Sequence, residues 1–130
     1  MQEPQPEYPD SGLWAVMART AFLAAIAGVT FASLAPVSWV PQPLASRHLE
    51  HFAAFYFTAL ATAAALPRTG LRKLGLALAL FAALLEVTRM APSQHRIWGA
   101  LDWEADFGGI LAALAPMVIG LFRISFGRRE

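Results

Sequence analysis

The sequence predicts an all-α, polytopic membrane bundle of four transmembrane helices, and three observations predict it. Hydrophobic residues make up 57% of the 130 residues and charged ones 15%, with a mean hydropathy of +0.48, against roughly 45–50% and about 25% in soluble chains. The apolar residues gather in four stretches separated by proline-containing or polar connections. Two of those stretches, Thr58–Leu66 (TALATAAAL) and Leu74–Leu85 (LGLALALFAALL), lack the polar face that a soluble helix repeats every 3.6 residues.

The first stretch runs from about Leu13 to Trp39, and Thr20–Val37 carries no charge over 18 residues. The second runs from His51 to Leu66, the third from Leu74 to Leu85, and the fourth from Phe107 to Ile119 or beyond. A spanning helix needs roughly 17–25 mostly apolar residues. The first and fourth reach that length with their flanks. The second reaches it only with Leu49, and the third only by extending to Met90, past Glu86 and Arg89. Helix is preferred to strand because the runs are long, rich in Ala and Leu, and not alternating.

Turns separate these elements. Ala35–Ser46 holds Pro36, Pro41 and Pro43; Pro67 ends the second helix in PRTG; Ala91–Gly99 (APSQHRIWG) is a longer polar loop. Residues 1–12, rich in proline and acid, read as a disordered tail preceding a single domain over 13–130. That acidic start disfavours a secretory signal peptide, which opens on basic residues.

Several function classes are excluded at this level. Lys and Arg total 10 against 9 Asp and Glu, so there is no basic excess for a nucleic-acid partner. Cysteine is absent, which removes disulfides, thiolate metal sites and a Cys nucleophile. No nucleophile elbow, Gly-rich phosphate loop or HExxH motif is present, so no catalytic residue is assigned and enzyme status stays open. No cofactor is expected. A metal site built from His51, Glu86, Asp102 and Asp106 would draw on three helices without a compact spacing, and none is predicted.

With four spans, both termini and the middle loop share one side. That side holds Arg19, Arg68, Arg72, Lys73, Arg123, Arg128 and Arg129, and the other holds Arg47, Arg89 and Arg96. The bias predicts a cytoplasmic-membrane protein with both termini in the cytoplasm.

The ionisable residues near the spans carry the functional reading, because an Asp, Lys or Arg at a helix centre costs about 2.5–3.5 kcal/mol on insertion. Glu50 and His51 open the second helix, Glu86 and Arg89 close the third, His95 and Arg96 lie in the loop, and Asp102, Glu104 and Asp106 lead into the fourth. All fall at one end of the bundle. Asp102 and Asp106, four apart, share a helical face; for Asp102 alone, an N-cap is the favoured reading. Glu86 sits where the helix dipole is negative, so it needs a partner, which Arg89, Arg96 or His51 supplies. The expected site is a polar pocket of His51, Glu86, Arg89, Arg96, Asp102 and Asp106. Gly108, Gly109, Ala112 and Ala113 put small residues on the fourth helix for close packing, and Trp39, Trp98 and Trp103 read as interfacial anchors.

Leu49-Glu50-His51-Phe52 at the head of the second helix, Glu86 ending the third ahead of Arg96, and Asp102-x-x-x-Asp106-x-x-Gly109 opening the fourth resemble, in order, the motifs of the VanZ-like family of small bacterial membrane proteins. The resemblance covers roughly residues 45–115. Arg47-His48 stands where the family often has Asp-Lys, Arg89 where glutamine is common, Phe55 in place of tyrosine, and Asp106 in place of asparagine. The resemblance implies a helical bundle of the cell envelope, and the namesake member is associated with low-level resistance to the glycopeptide teicoplanin.

Three functions follow as expectations. One is an outward-facing pocket that binds a lipid or glycan headgroup, or an amphiphilic glycopeptide-type antibiotic, with membrane lipid as the general partner. A second is an enzyme acting on a lipid headgroup through a carboxylate–histidine dyad. The third is a small transporter or interaction subunit that packs through its Gly/Ala faces as a homo-oligomer.

Overall fold

A computed structural model describes residues 12–41, 43, 44, 46–89 and 99–127. Among them are four α-helices and no strand: α1 (Leu13–Leu34), α2 (Arg47–Ala65), α3 (Leu71–Arg89) and α4 (Gly99–Gly127), with a short 3-10 turn at Val37–Trp39. The all-α expectation holds. The expected acidic tail and the Met90–Trp98 loop lie outside the described residues, apart from Gly12.

Local chemistry sets the boundaries. The Ser46 hydroxyl caps α2 by accepting from the Leu49 N–H, and Pro67 follows directly on the Leu66 C-cap. α3 begins after Gly70. α4 starts well before the expected Phe107, because Asp102, Trp103 and Glu104 continue its helical face instead of preceding it. Pro116 lies inside this helix, where its ring withholds one backbone donor.

α2 and α4 form the largest interface, α1 packs mainly on α2, and α3 mainly on α4. The glycines permit this closeness. A Cβ at Gly109 would collide with the Phe52 carbonyl oxygen and stand 2.9 Å from the Tyr56 nitrogen, so the two backbones touch there. Ala113, one turn on, is buried, whereas Gly108 faces the Phe52 ring at ordinary contact distance. The core is Phe55 and Ala59 of α2, Leu78, Ala82 and Leu85 of α3, and Ile110, Ala113 and Leu114 of α4. Thr58 and Thr62 enter it with their hydroxyls bonded to the carbonyls of Ala54 and Thr58, each at 2.7 Å, which satisfies them without a partner helix.

Two helical segments, Leu13–Leu34 and Asp102–Gly127, are long and apolar enough to cross a membrane. On length and composition the four expected spans therefore reduce to two, since α3 carries Arg72, Lys73, Glu86 and Arg89, and α2 opens on Arg47, His48, Glu50 and His51. Large apolar side chains are nonetheless exposed on all four helices. On α3 the outward stripe is Leu76, Leu80, Leu84 and Val87, each 62–64% exposed, while Glu86 and Arg89 point inward. Trp103 departs from the anchoring expectation: it is half-buried, directs its ring nitrogen toward the Ala79 carbonyl at 3.5 Å, and stacks on Phe107.

Candidate functional site

The inward stripe of each of three helices is apolar along most of its length and ionic at one end. On α2 it reads Arg47, His51, Phe55, Ala59, Thr62; on α3, Leu78, Ala82, Glu86, Arg89; on α4, Asp102, Asp106, Ile110, Ala113. These steps of three and four keep each set on one face. The antiparallel course of the chain then brings the start of α2, the end of α3 and the start of α4 together, with the last turn of α1 beside them.

Arg89 is the hub. Its Nη1 donates to Glu86 Oε1 at 2.9 Å and stands 3.4 Å from His51 Nε2 and 3.9 Å from Asp102 Oδ2. Its Nε donates to the Ser33 carbonyl at 3.2 Å, and its Nη2 to the Ser33 hydroxyl at 3.3 Å, which ties α1 to α3. Counting Arg89 among loop cations is thus corrected: it is buried, because Glu86 three residues earlier meets it inside the bundle.

His51 Nδ1 pairs with Asp106 Oδ1 at 2.8 Å across the α2–α4 interface. Asp102 accepts from Arg47 at 2.8 Å through Oδ2, with His51 Nε2 3.8 Å from the same oxygen. Its other oxygen, Oδ1, has His48 Nδ1 at 3.5 Å but makes no hydrogen bond among the described residues. The N-cap reading of Asp102 is corrected: it lies within the first turn of α4, 2% exposed, facing α2 instead of capping its own backbone.

The structure thus brings together five of the six expected residues, His51, Glu86, Arg89, Asp102 and Asp106, while Arg96 lies outside the described residues. Sequence reasoning missed Arg47 and Ser33. Arg47 carried a usable signal, since it stands one turn before His51 on the same face; Ser33, within the charge-free run Thr20–Val37, carried none.

Beside the cluster lies a cavity of about 310 Å³ between α1, the 35–44 connection and α2. Val29, Ala32, Val40, Pro41, Leu44 and Phe55 supply apolar walls, and Arg47, His51, Arg89 and Ser33 supply a polar wall. Glu50 holds the roof in place by accepting the Leu44 N–H at 2.9 Å, which folds the proline-containing connection over the start of α2. Arg47, with 43% of its side chain exposed, forms the solvent-reachable part of the polar wall. An apolar chamber with convergent donors at one side is suited to an amphiphile.

Compared with known protein families, curated proteins and solved structures, the chain matches none.

Proposed function

We propose that this chain is a VanZ-like bundle of the bacterial cytoplasmic membrane whose polar pocket binds the headgroup of an amphiphile, a lipid or lipid-linked glycan or a glycopeptide-type antibiotic. The observation that carries this reading is the cavity itself, whose apolar walls accept a hydrocarbon portion and whose Arg47, His51 and Arg89 face a polar or anionic group. Membrane embedding is supported by the outward stripe of Leu76, Leu80, Leu84 and Val87 on α3, with Glu86 and Arg89 turned inward. At 19 residues α2 and α3 are each about 28 Å long, close to the roughly 30 Å hydrocarbon thickness. The VanZ-like reading draws support from the meeting of three sequence-distant motif residues, His51, Glu86 and Asp106. The cationic bias of the loops supports cytoplasmic termini and an outward pocket.

The test is lipid retention. Native mass spectrometry of the detergent-purified protein should show phosphatidylglycerol kept in preference to phosphatidylcholine of the same chains, and Arg47→Ala should abolish that preference. Equal retention of both lipids by the unsubstituted protein would sink the anionic-headgroup reading.

A second reading rests on the 2.8 Å His51–Asp106 contact. A carboxylate on one ring nitrogen orients the imidazole, and the other, Nε2, stands 3.4 Å from the Arg89 guanidinium, so proton transfer through it requires Arg89 to turn toward the bound headgroup. His51 lines the cavity, so the dyad is placed to serve as general base toward a bound headgroup. This enzyme reading requires turnover of a lipid substrate that is lost in Asp106→Asn while lipid retention persists.

A further inference from the structure

The carboxylates of the cluster outnumber its buried cations. Glu86, Asp102 and Asp106 are each at most 6% exposed, and the one buried guanidinium facing them among the described residues is Arg89, since Arg47 reaches Asp102 from the rim. Buried carboxylates are costly without compensating charge. Three side chains of this group have the makings of a ligand set: His51, Glu86 and Asp106 each offer one atom, and these atoms all lie within 4.8 Å of one another. They come from α2, α3 and α4, so closure around an ion would link three helices at their common end.

A second observation points the same way. Asp102 is 2% exposed and its Oδ1 lacks a hydrogen bond among the described residues, with His48 Nδ1 at 3.5 Å, while its Oδ2 lies 3.8 Å from His51 and 3.9 Å from Arg89. Arg89 occupies one oxygen of Glu86, Oε1, and a carboxylate has a second to offer. That arrangement matches the way outer hydrogen-bond partners fix the ligands of metal centres.

We propose that His51, Glu86 and Asp106 bind a divalent first-row metal ion, Zn²⁺ or Mn²⁺, with Asp102 beside it and Arg89 orienting Glu86. One imidazole and two carboxylates suit borderline Zn²⁺ and the harder, oxygen-preferring Mn²⁺, and leave a coordination position for water or a ligand's oxygen. Ligands at about 2.0–2.2 Å from an ion stand about 3.3–3.6 Å apart in tetrahedral geometry, so with Nδ1 as the imidazole's ligand atom, loading opens the 2.8 Å His51–Asp106 contact as both groups turn to the ion. The inference goes beyond the amphiphile reading and is tested without any added lipid or antibiotic, so each fails separately.

The experiment uses the full chain in detergent micelles, stripped with a chelator and titrated with Zn²⁺, Mn²⁺ or Mg²⁺. We expect one retained ion per chain for Zn²⁺ or Mn²⁺, a melting temperature raised by at least about 4 °C, and no comparable response to Mg²⁺. Glu86→Gln and Asp106→Asn should lose both effects. X-ray absorption at the bound metal should report an oxygen/nitrogen shell with a single imidazole, which keeps the test decisive should a variant fail to fold. A stripped protein that neither retains an ion nor shifts its melting temperature overturns the proposal. So does a shell with two or more imidazoles, a response to Mg²⁺ alone, or binding undiminished in both variants.

Discussion

Glu86 and Arg89, one helical turn apart on α3, close a 2.9 Å ion pair inside the bundle while Leu80, Leu84 and Val87 of the same helix face outward. Such a pair has a definite asymmetry. Its two charges tolerate burial only together, because removing one strands the other.

Arg89→Met alone is therefore expected to destabilise the bundle by about 3–5 kcal/mol, and Glu86→Leu similarly, whereas the double substitution recovers most of the loss. A double-mutant cycle in detergent, read by thermal or denaturant unfolding, checks this. Additive losses would show that the pair does not act as a unit.

The approach of α2 to α4 predicts a graded glycine series. Gly109→Ala places a methyl group against the Phe52 carbonyl and should cost about 1–3 kcal/mol or more, since backbone and not a movable side chain stands in the way. Gly108→Ala meets the Phe52 ring at 3.6 Å and should be tolerated, and Gly120→Ala meets nothing within 4 Å and should be silent. Melting temperatures of the three variants decide it; a flat series refutes the contact.

Leu80 sits on the outward stripe of α3, 62% exposed. If lipid covers it, Leu80→Arg should raise the insertion free energy of α3 by about 2.5–3.5 kcal/mol and sharply reduce the membrane-integrated fraction. In water the same substitution would be neutral or favourable to solubility. Alkaline extraction of membranes separates the two outcomes.

Topology gives the fourth prediction. A reporter fused at Gly70 should read as cytoplasmic and one at Gly99 as external, as the loop cations imply. A cytoplasmic signal at Gly99 would reverse the orientation of the pocket or remove the α3 crossing.

Much of this was legible beforehand. The first and third helices were visible because a charge-free or leucine-rich run of that length has few other conformations open to it. The start of α4 was not visible: Asp102 and Glu104 resemble a capping segment in one dimension, and only the pairing of Asp102 with Arg47 on another helix explains a carboxylate held within the first buried turn. Trp103 was misplaced for the same reason, since its burial depends on α3 passing alongside.

The cluster shows the division most clearly. That His51, Glu86, Arg89, Asp102 and Asp106 belong at one end followed from their positions near the ends of apolar runs. That His51 pairs with Asp106, and that Ser33 of α1 secures Arg89, depended on side chains more than 50 positions apart meeting in space.

By itself the sequence determined that the chain is helical, that its composition is strongly apolar, and where its few charges sit along each run, because hydropathy and periodicity are local properties of neighbouring residues. Only the tertiary structure decided which carboxylate meets which cation, how closely α2 and α4 approach, and that a chamber opens beside the ionic end. Those are distances between segments, and a linear pattern of residue types does not encode them directly.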